Sequence, residues 1–510
     1  MNEIALPTHW EHLKKQAKQV LKSYRQGDVG IRERLERALG AQLPSPERIR
    51  LADVHWALAR EFGFSQWADL KHAVEVSHLA SLDLTEAALA LVNALIGQGW
   101  DRPRPDRAAA LLAARPEISG VHACTAALAA DPEALARILQ HDPAAATGPM
   151  TPNGPPPLAM AAAGLAVAPG ALEGALTCAR MLLAAGADPN AGGIHPMWEG
   201  SNLCPLYYAV GVANSPAMTR FLLEAGADPN DRESLYHSAE YADTTCMRLL
   251  IEAGARWPGS NALARVLDYE DPARVRTALE LGADPRDGDP LRHALIRGRS
   301  GAILEILLDA GADPEVTGPD GLNAYRLAER LGRRDVAEQL RRRGWASSLT
   351  PVEEFLAACA RADAPEATLL LADLPGGIGG LGPVELRLLP DLVGLRKLEA
   401  VRTMLALGWP VAVKGDWDAG AMNQAAFNGD APMLALLLEH GGHWDERNGY
   451  GGNVWGSISW ASRNLDPMPG ADYPGCARLL LEHGSPIPED FAAPDDVLDV
   501  LAEWSVTTPS

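Results

Sequence analysis

The chain reads as an all-α solenoid of stacked helix-turn-helix units with short finger loops, preceded by a small helical domain. Three observations predict this class. The phrase Leu182-Leu183-Ala184-Ala185-Gly186-Ala187-Asp188-Pro189-Asn190 returns almost unchanged as Leu222-Leu223-Glu224-Ala225-Gly226-Ala227-Asp228-Pro229-Asn230, with weaker copies at 249–255, 279–285 and 307–314. From Gly186 the phrase glycines advance through Gly226, Gly254, Gly282, Gly311 and Gly344 in steps of 40, 28, 28, 29 and 33 residues. Self-similarity at a period of roughly 20–50 residues marks a repeat architecture. Aromatic residues make up only 5% of the chain, while alanine, leucine and glycine abound, a composition suited to close-packed helix pairs with thin cores.

Each copy reads as the closing turns of a helix with leucines on one face, ended by a glycine that can take the left-handed conformation. The Ala-Asp-Pro-Asn that follows cannot extend the helix. Proline has no N–H to donate, and Asp and Asn bond their own backbone, so the chain turns outward into an exposed finger. A further helix is predicted to open each unit, at Asp289–Ala294 and Leu322–Ala328 and more weakly at Pro205–Ala209 and Ser234–Ala239. The unit is a turn plus two antiparallel helices, about 33 residues long.

These units resemble ankyrin repeats. The fullest runs from Asp320-Gly321-Leu322-Asn323-Ala324-Tyr325-Arg326-Leu327-Ala328 to Arg334–Leu340 and Gly344, with Asn323-Ala324-Tyr325-Arg326 where the family usually has Thr-Pro-Leu-His. The helix-end phrase recurs without its glycine at Leu111–Arg115 and Ile138–Asp142, and with it at Met404–Gly408, Leu437–Gly441 and Leu480–Gly484. The resemblance therefore spans about residues 105 to 486. It implies a non-catalytic interaction module that takes a partner protein or peptide on a concave face lined by finger turns and first helices.

Residues 9–76 lack the phrase. Val54, Leu58 and Phe62, then Trp67, Leu70 and Val74, fall at helical spacing across a Gly63-Phe64-Ser65 turn. This segment resembles the small helical module that precedes repeats in bacterial ankyrin proteins; Trp56 and Trp67 read as its core, and the module itself as a cap on the stack. A second break falls at Gly344–Pro351, after which a fresh repeat start follows. The expected organisation is an N-terminal helical module at 1–78, a first array at 79–346, a second, degenerate array at 347–486, and a C-terminal cap or tail at 487–510.

A formal charge of −21 argues against nucleic acid as the main partner, because phosphate affinity comes largely from counterions displaced by Lys and Arg. The local exceptions, Lys14, Lys15, Lys18, Lys22 and Arg25, and Arg330, Arg333, Arg334, Arg341, Arg342 and Arg343, read as solvated faces. Six cysteines stand singly at 124, 178, 204, 246, 359 and 476, which fits a reducing cytoplasm. The first ten residues show no secretion signal, and no stretch approaches the roughly 20 apolar residues of a membrane span. The expected partner is a protein or peptide, with no nucleic acid and no membrane, and the chain itself is expected to be a monomer.

Catalytic signatures are missing: no His-Glu-x-x-His, no Gly-x-Ser-x-Gly and no phosphate loop. Gly377-Ile378-Gly379-Gly380-Leu381-Gly382 matches the dinucleotide glycine pattern, but it follows a helical leucine run and Pro375 instead of a strand, so it reads as a loop. The thirteen histidines are dispersed without ligand spacing. No catalytic residue, metal or cofactor is expected.

The irregular steps hold the unusual residues. One long finger, 191–203, carries His195, Met197, Trp198 and Glu199. A second concentration comprises Trp409, Trp417, Phe427, His443, Trp444, Tyr450, Trp455, Trp460 and Tyr473. Related bacterial repeats read closer to Gly-Gly-Thr-Ala-Leu-His and Gly-Gly-Thr-Pro-Leu-Gly-Trp there. This chain has Ala419–Gln424 and Gly452–Gly456 instead, which removes a capping Thr and adds amide and indole groups such as Asn423.

Tyr and Trp dominate interface hot spots because each buries much area and keeps a polar handle. The candidate binding residues are therefore His195, Trp198, Glu199, Trp417, Asn423, Phe427, His443, Trp444, Tyr450, Trp455, Trp460 and Tyr473. They either line a groove or fill helix pairs that repeat poorly. The alternative function is an enzyme or small-molecule binder with a pocket closed by these insertions, using His195, Glu199, Asn423, His443, Asp445 and Tyr450. A closed pocket of roughly 300 Å³ or more would distinguish it.

Overall fold

The computed structural model describes residues 10–39, 44–46, 48–49, 51–97, 103–194, 202–465, 468–488 and 491–507. It is an all-α repeat fold. Among the described residues the only extended pairings are two isolated bridges, Gly193 with Leu203 and Lys414 with Gly420. The chain forms two compact units, one of Met1–Pro152, Pro156–Gly186 and Leu480–Ser510, the other of Asn153–Pro155 and Ala187–Leu479.

In the first unit, helices Trp10–Arg25, Val29–Leu39 and Leu51–Glu61 enclose Val20, Leu21, Tyr24, Leu35, Val54 and Leu58. The next helix, Trp67–Ser81, adds Leu70 and Val74 to a second cluster with Leu13. Trp67 belongs to this interior and stacks on His55 with ring centroids 4.1 Å apart. Trp56 does not: it is exposed, with the Arg60 guanidinium over its ring at 4.6 Å. At about 100° per residue, inward-facing Val54 and Leu58 leave position 56 on the opposite side of the helix.

The C-terminal helix Asp495–Thr507 joins the same core through Ala502. Its acidic side chains meet the N-terminal helices: Asp495 lies 2.5 Å from Lys71 Nζ, Asp499 lies 3.4 Å from His55 Nδ1, and Glu503 accepts from the Leu51 N–H at 3.2 Å. A carboxylate on the first N–H of a helix satisfies an orphan donor and favours the positive end of the helix dipole.

The second unit stacks helix pairs. First helices Ser234–Ser238, Ala262–Leu267, Pro290–Ile296 and Ala324–Arg330 alternate with second helices Thr245–Glu252, Pro272–Glu280, Gly301–Asp309 and Arg334–Arg342. Further pairs follow at Pro351–Ala360 with Ala364–Asp373, Leu388–Gly394 with Leu398–Ala406, and Ala421–Phe427 with Ala431–Glu439. The glycine-rich run after Pro375 is a short 3₁₀ turn, Gly377–Gly380, in a loop.

The recurring phrase has a mechanical meaning. Gly226 and Gly254 take φ of 94° and 101°, and the next N–H, of Ala227 or Ala255, returns 2.9 Å to the carbonyl of Leu222 or Leu250, closing the helix. In the finger, Asp228 Oδ1 accepts from the Asn230 N–H at 2.9 Å. The Asn230 side chain then reaches forward, donating to the Gly254 carbonyl at 3.1 Å and accepting from the Arg256 N–H at 3.0 Å. Asn190 makes the same pair of bonds to Gly226 and Asp228 one repeat earlier. Where arginine replaces asparagine, Arg286 Nε reaches the Gly311 carbonyl at 2.9 Å, so the bond survives the change of residue.

Candidate functional site

His195, Trp198 and Glu199 lie outside the described residues. The remaining candidates are all in the second unit, and they fall into three groups.

The first group is buried. Trp455 is 2% exposed and Asn423 1% exposed, so neither offers a surface. Asn423 Nδ2 donates to the Glu446 carbonyl at 3.2 Å and Ser457 Oγ at 3.3 Å, tying its helix to the following finger. The capping role expected to be lost with threonine is kept by Asn453, whose Oδ1 accepts from the Gly456 N–H at 3.1 Å and starts helix Val454–Asn464. Trp409 is likewise internal; it stacks on Phe355, and its indole N–H donates to the Leu386 carbonyl at 3.1 Å.

The second group is a layer between neighbouring pairs. Phe427 and Trp460 stack at 5.6 Å with planes 14° apart, and the Tyr473 hydroxyl donates to the Phe427 carbonyl at 3.1 Å. Burial raises the pKa of that phenol, so it remains a neutral donor.

The third group stands on two adjacent fingers. The first finger is a hairpin closed by the Lys414–Gly420 bridge; the Ala419 N–H bonds the Asp416 carbonyl at 3.0 Å, and Trp417 and Asp418 both take positive φ, 52° and 54°. This is a type I′ turn, which ordinarily takes Asn-Gly. A tryptophan held at positive φ is strained, and the residue is 57% exposed.

The second finger carries His443, Trp444 and Tyr450. His443 Nδ1 accepts from the Asp445 N–H at 3.1 Å and its ring leans on Trp444, so this imidazole organises the finger. Asn448 Oδ1 accepts from the Tyr450 and Gly452 N–H groups, each at 3.1 Å, and shapes the tip. Tyr450 is 72% exposed.

The two fingers are joined. The Gly449 N–H donates to the Trp417 carbonyl at 2.7 Å, a separation that a Cβ at 449 would meet at the same 2.7 Å, so the approach needs glycine. Lys414 Nζ donates to the Arg447 carbonyl. Glu446 lies beneath: Oε1 accepts from the His443 N–H, Oε2 is buried without a hydrogen-bond partner among the described residues, and burial raises its pKa despite nearby Lys414 and His443.

A further constellation was not found from sequence. His237 sits between Glu240, 3.1 Å from Nδ1, and Glu233, 3.4 Å from Nε2. Glu240 also takes Arg265 Nη2 at 2.8 Å; Arg265 Nη1 reaches Asp268 at 3.0 Å; and Asp268 Oδ1 meets His293 Nε2 at 3.0 Å and Arg297 Nε at 2.8 Å. An unbroken ladder thus crosses three successive first helices. Burial disfavours the His237 imidazolium, but the two flanking carboxylates outweigh it and raise its pKa to about 9. Burial likewise opposes the Glu240 carboxylate, which His237 and Arg265 nevertheless hold below its usual range.

Local structure prepares this ladder. The first helix before it, Pro205–Tyr207, runs into a π-helical turn, Tyr208–Val212. The Tyr241 hydroxyl donates to the Gly211 carbonyl at 2.8 Å, and a Cβ at Gly211 would lie 2.8 Å from that of His237. The signal in the sequence was spacing alone, since His237, Arg265 and His293 lie 28 residues apart.

Two cavities among the described residues are lined by none of the aromatic candidates. One of about 540 Å³ in the first unit is lined by residues including His122, Arg137, Ile138 and His141. One of about 280 Å³ in the second is lined by Arg297, Gly298, Arg333, Gly394, Leu395, Arg396, Lys397 and Met468. All six cysteines are buried and none is in a disulfide. No helix of the described residues is long and apolar enough to cross a membrane, and among those residues no three His, Cys, Asp or Glu gather as a metal site.

No curated protein matches the chain. The family model described as the ankyrin repeat matches residues 202–234, which include the π-helical turn and the Asp228-Pro229-Asn230 finger. That match, set within helix pairs whose fingers are stitched as described, supports the assignment of the chain as an ankyrin-repeat protein.

Proposed function

We propose that the chain is a non-catalytic interaction module, and that it grips a partner protein or peptide with the joined fingers at 414–420 and 442–453. The observation that carries this reading is Trp417. A large apolar ring is held out to solvent on a turn whose backbone its own side chain disfavours, and the joined finger carries a second exposed ring, Tyr450. Folding supplies no reason to keep such a residue there, whereas an interface anchor does. Ankyrin repeats in general mediate protein–protein contacts, which agrees with the reading.

The ladder from Glu233 to Arg297 serves differently. Its charges are already paired with one another, so it offers a partner little net attraction and instead fixes the register of the first helices. Affinity capture with the full chain and with Trp417→Asn plus Tyr450→Ala tests the proposal. A specific partner lost from the double variant, with thermal stability kept or raised, is the expected result. An identical set of bound proteins on both would overturn it.

A further inference from the structure

The expectation that the arginines at 330–343 form one solvated face does not hold. Arg330 is buried and donates to the Val384 carbonyl, and Arg333 is only 9% exposed. Burial lowers the pKa of Arg330 even with Asp391, Asp320 and Glu385 nearby. Two arginines inside the second unit of an acidic chain call for a reason.

Arg333 lines the 280 Å³ cavity together with Arg297, Arg396 and Lys397. Among the described residues no acidic side chain lines it, and Leu395 and Met468 supply its apolar wall. The acids that pair with three of these cations are not among its lining residues. Asp335 takes Nε and Nη2 of Arg333 at 3.1 and 3.0 Å, Asp430 takes Arg396 Nε at 3.2 Å, and Asp268 takes Arg297 Nε at 2.8 Å. Arg396 is further fixed by the carbonyls of Pro469 and Gly470 at 3.0 and 3.3 Å.

One donor is left over. Arg333 Nη1 is buried and has no hydrogen-bond partner among the described residues, a costly condition for a charged group. Two helix starts converge on the same place. Arg333 is the N-cap of Arg334–Arg342 and Lys397 that of Leu398–Ala406, and neither side chain caps its helix. In the corresponding position Asp271, Asp363 and Asp430 do cap theirs. The positive ends of two nine-residue helices add to the four cations, offset in part by Asp335 and Glu399 in their first turns.

We propose that this cavity is a binding site for a small organic phosphate. A single carboxylate presents its acceptors in one plane, whereas a phosphate dianion presents them in several directions, toward Arg297, Arg333, Arg396 and Lys397 alike. The volume exceeds that of one phosphate group, and the Leu395 and Met468 wall suits a compact carbon body. This site is separate from the fingers and does not depend on their function.

Calorimetric titration of the full chain with inorganic phosphate, pyrophosphate and acetate, each at constant ionic strength, provides the test. Saturable one-to-one binding of pyrophosphate is expected, weaker binding of phosphate, and none of acetate. Lys397→Glu should weaken pyrophosphate binding by about tenfold or more, since it reverses one lining charge. Arg297→Gln, at an exposed position, repeats the test with a smaller loss should Lys397→Glu fail to fold. Absence of saturable binding, equal binding of acetate, or affinity unchanged in both folded variants would overturn the assignment.

Discussion

The Asn230 side chain bridges to Gly254, the glycine that ends the next repeat's second helix, with its Nδ2 3.1 Å from the glycine carbonyl. Because Asn230 Oδ1 also accepts from Arg256, one amide satisfies a carbonyl left open by the helix end and an N–H of the following finger. Asn230→Ala removes both bonds, and a loss of about 1–2 kcal/mol in unfolding free energy is expected. Denaturant titration would measure it. Asn230→Arg should recover part of the loss, because Arg286 already makes the equivalent bond to Gly311.

The protonated His237 between Glu233 and Glu240 makes stability depend on pH with a definite sign. Its folded pKa of about 9 lies above the ordinary value of 6.5. Its contribution is therefore fully present below about pH 6.5 and is lost as pH rises through about 9. Stability should fall on the order of 2 kcal/mol across that window at 1.36 kcal/mol per unit, reduced by the partial solvent access of the ladder. Buried Cys124 and Cys359, pushed up to about 12, do not titrate there. Thermal melts from pH 6 to 9.5 should show a steeper decline for wild type than for His237→Gln; parallel curves would refute the assignment.

What the sequence revealed follows the range of the interactions concerned. The closing glycines and the Asp-Pro-Asn turn are local, so their spacing sufficed to place helix ends such as those at Gly226 and Gly254. The forward reach of Asn230 is not visible from spacing, although it lies within the phrase itself. His237, Arg265 and His293 recur at the repeat period, but they differ in residue type, and a search for identical phrases passes over them. Trp417 and Trp455 look alike as aromatics in insertions. One is at the tip of a hairpin whose Trp-Asp turn does not carry the usual Asn-Gly signature, and the other opens a helix packed on its neighbour. The burial of Arg330 depends on Val384, 54 residues away, which no local pattern anticipates.

The C-terminal helix should govern the stability of the N-terminal helices. Val497, Val500, Leu501 and Ala502 are buried on Asp495–Thr507, and its acids engage Lys71, His55 and the Leu51 N–H. Deletion of residues 491–510 exposes the apolar surface around Leu51 and Leu58 and leaves the start of helix Leu51–Glu61 without its carboxylate. Hydrogen exchange should accelerate throughout 51–61, while helices of the second unit such as Gly301–Asp309 keep their protection. Glu503→Gln, which keeps an acceptor but removes the charge, should cost only about 0.3–1 kcal/mol.

Trp417 and Trp455 should respond oppositely to substitution. Trp455→Ala opens a void in the stack, and a loss of about 3–5 kcal/mol is expected. Trp417→Asn removes an exposed ring and installs a residue that tolerates the left-handed region, so the type I′ turn loses its strain. The left-handed conformation costs an ordinary side chain roughly 1–2 kcal/mol, and part of that should return as increased stability, raising the midpoint of thermal unfolding. If Trp417 served only to plug the fold, its removal would instead lower the midpoint, as at Trp455. A variant that gains stability while losing its partner would identify the ring as an interface anchor kept at the expense of the turn. Combining Trp417→Asn with Gly449→Ala checks the geometry, because a methyl group at 449 pushes against the Trp417 carbonyl whatever ring stands there. Finger separation, measured between spin labels at 416 and 447, should increase with the Gly449 change alone.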